Sequence, residues 1–128
     1  MLRTTRLAAA ATLLAAGTAT GAELQMDDFA AESLGSVTKL CSAEPSTEMG
    51  QWARGFCYGW IEGVEQFYDE ILLDDRFEFE PTICPGREVS REEVRTLLVD
   101  WSNNNPDLQG IPPLDGLIRA GREIFPCP

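Results

Sequence analysis

The sequence predicts an all-α domain, a small bundle of four helices or slightly more, stapled by two disulfides. Three observations carry this reading. Apolar residues return at helical spacing in four separate segments after residue 30. Only FEFE, residues 77–80, alternates as a strand would. Four cysteines follow an amino terminus of export type, in a chain of 128 residues that can build only a modest core.

Residues 1–22, MLRTTRLAAAATLLAAGTATGA, carry Arg3 and Arg6, then an alanine and leucine run, then small residues suited to signal peptidase. They are expected to form a cleaved secretory signal, cut after Ala22 with Thr20 at the minus-three position, or after Gly21 with Ala19 there. The apolar run is shorter than the roughly 20 residues a membrane-spanning helix needs. Residues 23–128 would then be one exported domain, burying roughly 65% of the surface its unfolded chain exposes.

Along that domain, residues 23–30 lack apolar periodicity and are expected to be a mobile leader. Leu34, Val37, Leu40 and Cys41 then mark a short first helix. After the Glu44-Pro45 turn, Ser46 is positioned to cap a long second helix that runs to Leu72 or Leu73. On its wheel Ala53, Phe56, Trp60, Val64, Phe67 and Ile71 share one face, with Cys57 at the margin. Pro81 and Pro85 forbid a helix through PTICPG, and the preceding DDRFEFE is expected to be a loop that tucks its phenylalanines against the bundle. Ser90 and Glu93 form a capping box before Val94, Leu97, Leu98 and Trp101, the third helix, which Asn103 to Pro106 end. A fourth follows Pro112 and Pro113 and stops at Pro126.

The cysteines fit this order. Cys41 ends one helix and Cys57 lies inside the next, antiparallel one, while Cys84 precedes the third helix and Cys127 follows the fourth. Each pair meets at one end of a helical hairpin, so Cys41–Cys57 and Cys84–Cys127 are expected among the three possible connectivities. Zinc is the competing use, but there is no CxxC pair and no histidine. No cofactor or metal is expected.

Gly55, Gly59 and Gly63 recur every fourth residue inside the second helix, although each interior glycine costs about 1 kcal/mol relative to alanine. On the wheel Gly59 and Gly63 project beside the apolar face near Trp60. They are expected to form a groove for close helix packing, against the fourth helix or against a second subunit in a homodimer.

Without histidine, the serine-histidine and cysteine-histidine constellations are unavailable. No phosphate loop, EF-hand or CxxC redox pair occurs, and no carboxylate pair stands out from the rest. The chain therefore reads as a binder, not an enzyme. Loss of Arg3 and Arg6 with the signal would take the formal charge from −11 to −13. Such a field repels nucleic acid and steers a basic protein partner. The acids Asp69, Glu70, Asp74, Asp75, Glu78 and Glu80 gather around Phe77 and Phe79, an arrangement suited to a partner contact.

Cys41, FCYGWIEG at 56–63, ICPG at 83–86, RTLLVDW followed by NNNPD, and the closing IFPC occur in that order. Together they resemble the Rap/Tai family of type VI secretion amidase immunity proteins, over about residues 34–128. The resemblance implies a periplasmic α-helical protein, often a dimer, that binds a secreted peptidoglycan amidase and blocks its cleft. The matching residues are mainly scaffold, and DDRFEFE matches no interface motif. A periplasmic helical chaperone, or an assembly subunit of an envelope complex, is the alternative. The single lysine, Lys39, fits the chaperone poorly.

Overall fold

The computed structural model describes residues 23–128, so the export signal expected at residues 1–22 lies outside the described residues. The helices are α1 (Leu34–Ser42), α2 (Glu48–Leu73), α3 (Arg91–Asn104) and α4 (Pro113–Ile124), with short 3-10 turns at Met26–Ala30 and Pro106–Leu108. Among the described residues there is no strand, and FEFE is loop.

Short-range chemistry sets the helix ends. Ser33 Oγ accepts from the Ser36 N–H at 3.2 Å and starts α1. Thr47 Oγ1 accepts from the Gly50 N–H at 3.0 Å, so the cap of α2 stands one residue after the expected Ser46. Ser90 Oγ accepts from the Glu93 N–H at 3.2 Å and starts α3. The Glu93 carboxylate does not close the expected box; it pairs with Arg87 instead. Pro113 opens α4, where its missing N–H leaves no bond unmade.

The hub is α1, which packs against the other three helices and the first 3-10 turn. Leu34, Val37 and Cys41 of α1 meet Cys57 and Ile61 of α2, Leu98 and Trp101 of α3, and Ala120 of α4 in one core. The Cys41–Cys57 disulfide lies inside it, and Cys84–Cys127 joins the loop before α3 to the tail after α4, the two expected connectivities. A Cβ at Gly116 would stand 2.6 Å from Leu34 Cδ1, so the close approach of α1 and α4 requires a glycine there. The polar groups in this core are paired: Thr38 Oγ1 donates to Ser102 Oγ at 2.7 Å, and Gln109 Nε2 donates to the Ser102 carbonyl at 2.7 Å.

Two further expectations are corrected. Met26–Ala30 is not a loose leader: Asp28 pairs with Lys39 at 2.6 Å, and Phe29 packs edge-to-face on Phe56 with ring centroids 5.7 Å apart. The buried stripe of α2 is Gly50, Ala53, Cys57 and Ile61, turned roughly 60° from the expected face at 100° per residue. Cys57 causes the turn, because its bond to Cys41 points that side of α2 at α1. Phe67, expected inside, is left 62% exposed.

Candidate interaction surface

The turn of α2 decides where the glycines point. Gly59 is two residues from Cys57 and two from Ile61, hence about 160° round the helix from both. A Cβ built at Gly55, Gly59 or Gly63 meets nothing within 4 Å. The stripe thus lies opposite the core, not beside it, and α4 does not fill it. The glycines that close approach does require are others: besides Gly116 there are Gly50, where a Cβ would lie 2.0 Å from the Glu44 carbonyl oxygen, and Gly121, where it would lie 2.6 Å from Ile83 Cδ1. Trp52 and Phe67, two turns before and two turns after Gly59, flank the stripe and are 53% and 62% exposed. Trp60 packs on the edge of the core.

The segment after α2 carries the predicted partner residues. Asp69 and Glu70 are exposed on its last turns, and Asp75, Glu78 and Glu80 are exposed beyond them. Asp74 is committed locally: its carboxylate accepts from the Arg76 backbone N–H and from Arg76 Nε, each at 2.9 Å. These bonds hold the Asp74 carboxyl below the usual carboxylate range, the Arg76 side chain contributing most. Phe77 and Phe79 do not tuck against the bundle; they are 55% and 54% exposed. Five of the six acids and both phenylalanines are exposed along this stretch, while Asp74 is half-buried.

Anchors fix the far end of this tract. Tyr68 Oη accepts from the Thr82 N–H at 3.1 Å, and the Cys84 N–H donates to the Phe125 carbonyl at 2.8 Å beside the Cys84–Cys127 bond. Ile83 lies on the bare backbone of Gly121. Arg87 stacks over Phe125, 5.9 Å from the ring centroid.

A second polar group escaped sequence reasoning. Arg95 donates to the Cys41 carbonyl and Arg54 to the Ala43 carbonyl, both at 2.9 Å, satisfying the open end of α1. Glu92 ties them together. It accepts from Arg95 Nε at 2.9 Å and from the Tyr58 hydroxyl, and lies 4.0 Å from Arg54. The bond to Arg95, then that to Tyr58, holds its carboxyl down at about 2. The i, i+3 spacing of Glu92 and Arg95 was visible in the sequence, but their meeting with α1 and α2 is tertiary. This knot joins helices.

An open hollow of about 410 Å³ lies beside the α1–α2 turn against Lys39, Ser42 and Thr47. Its lysine is occupied by Asp28. Every cysteine is in a disulfide, so no thiolate is on hand for nucleophilic or metal chemistry. What the arrangement offers is surface: an acidic tract with exposed aromatic side chains on a cross-linked helical frame.

That frame defines a disulfide-stapled domain that is all-helical among the described residues. The family model described as Rap1a immunity proteins matches residues 33–127, and the chain belongs to that family. It is accordingly an immunity protein, a binder of a partner effector. No curated protein and no solved structure matches the chain. No helix among the described residues is long and apolar enough to cross a membrane.

Proposed function

We propose that residues 1–22 export the chain to the periplasm, where the domain binds a type VI secreted peptidoglycan amidase and occludes its cleft without chemistry of its own. The contact is the tract from Asp69 to Glu80. The observation that carries this is the exposure of Phe77 and Phe79 beside the exposed acids Asp75, Glu78 and Glu80, on a domain of the immunity family. Large apolar side chains within a polar rim are the makings of a protein interface. The acids would steer a target with a basic cleft.

Charge reversal tests it. Asp74 serves its own turn, so the informative pair is Asp75→Lys with Glu78→Lys. Association with a purified periplasmic amidase should slow and lose salt dependence while melting is little changed. Equal association rates for wild type and variant at low salt would remove the tract from the interface. Export is read separately, from an exported product that begins at Glu23, or at Ala22 for the alternative cut.

A further inference from the structure

The glycine stripe on the outward face of α2 has no occupant among the described residues, although Phe29 packs on Phe56 at its edge. Trp52 and Phe67 stand about 22 Å apart along the helix at 1.5 Å per residue. Between them Gly55, Gly59 and Gly63 leave the backbone bare, with room for a Cβ at each. Glycine is the poorest helix former after proline, and no contact among the described residues accounts for these three. A floor without side chains, bounded by aromatic rings, admits another helix at close range.

Charge selects that helix. The single basic residue of α2 is Arg54, and its guanidinium is turned away to the Ala43 carbonyl. The charged side chains around the glycines are Glu48, Glu62, Asp69 and Glu70, of which Glu62 alone has an ion-pair partner, Arg91 at 3.4 Å. A second copy fits poorly. An antiparallel pair centred on Gly59 sets Gly55 against Gly63 but also Glu48 against Glu70, twice, and a parallel pair sets each of these glutamates against its own copy. Like charges facing across a helix contact oppose it.

We infer that the outward face of α2, from Trp52 to Phe67, seats a basic helix of the partner protein. This rests on the reading of the chain as an effector-binding immunity protein and adds a second contact to the acidic tract, which begins on the last turns of α2. The partner helix presents small residues to the glycines and lysine or arginine to the flanking acids.

The test titrates the exported protein with a synthetic helical peptide of about 18 residues, enough to span Trp52 to Phe67, with alanine along one side and lysine on both flanks. A counterpart carries glutamate for lysine. Tryptophan fluorescence reads binding, and sedimentation reads mass. The lysine peptide binds the wild type, the glutamate peptide does not, and Gly59→Leu weakens binding about tenfold or more by filling the seam. Gly59→Leu keeps or raises the melting temperature, so the loss is not unfolding. Trp52→Ala with Phe67→Ala weakens binding as well. No saturable binding of the lysine peptide, equal binding by wild type and Gly59→Leu, or a wild-type dimer that Gly59→Leu dissociates would overturn the inference. An amidase that fails to bind the wild type refutes the effector reading alone, and the peptide result still judges the face.

Discussion

Glu92 and Glu65 are both exposed to α2–α3 electrostatics, yet they respond to acid in opposite senses. The Glu92 carboxyl ionises at 4.5 when unpaired and at about 2 in the fold. Its folded value is depressed, so its contribution is complete above pH 4.5 and is lost as pH falls toward 2. Glu92→Gln should lower the melting temperature at neutral pH, and the gap from wild type should close on acidification through that window. A gap independent of pH would show that the Arg95 and Tyr58 bonds act without the charge. Glu65 is raised, first by burial, then by Glu62 and Asp69. Its ionised form therefore opposes folding, and Glu65→Gln should raise the melting temperature at neutral pH, with the gain fading in acid. The glycines divide as sharply. Gly59→Ala should stabilise by up to about 1 kcal/mol, because a helix gains alanine and nothing is displaced. Gly116→Ala should destabilise by about 1–3 kcal/mol, because its Cβ meets fully buried Leu34. Denaturant titration of the pair checks both signs.

At the scale of elements, the two disulfides do different work. Cys41–Cys57 is fully buried at the α1–α2 contact and sets which side of α2 faces inward. Cys84–Cys127 is partly exposed and anchors the long connection between α2 and α3 to the end of α4. A dithiol reductant should open Cys84–Cys127 first, which alkylation and peptide mass mapping would show; prior loss of Cys41–Cys57 would contradict the burial argument. Cys84→Ser with Cys127→Ser should lower stability by about 2–4 kcal/mol through the freed chain entropy. It should also speed amide exchange at Thr82 to Cys84 more than at Cys57 or Ile61. Helix positions were legible in the sequence because caps and apolar spacing act over a few residues, as Ser90 with Leu98 and Trp101 shows. The 3-10 turn at Met26–Ala30 was not, because its anchors are Lys39 and Phe56, far along the chain.

For the whole molecule, net charge competes with local pairing. The domain from residue 23 carries a formal −13, and that excess repels itself in the compact state. The ion pairs are mostly at the surface, as with Arg119–Asp115 and Arg76–Asp74, where solvent screening leaves each worth little. Repulsion should win, so the melting temperature should rise as salt is added to about 0.3 M. A fall would mean that the Glu92 knot and its neighbours dominate. The same excess charge makes the acidic tract a long-range attractor for a basic partner, so folding and binding should answer salt with opposite signs.

By itself the sequence determined an all-α chain with four helices, two disulfide pairs, an acidic surface and the immunity family. Each of those is written in short-range spacing, in composition or in ordered motifs. Only the tertiary structure decided which side of α2 faces the core, and with it the exposure of Phe67 and the outward glycines. The α2 sequence is apolar over much of its circumference, with Phe56, Trp60, Val64 and Phe67 competing against Cys57 and Ile61. Periodicity alone cannot rank two overlapping faces. The bond from Cys57 to Cys41 and the packing of α1 rank them, because the buried face must be the one that reaches the sulfur of another helix.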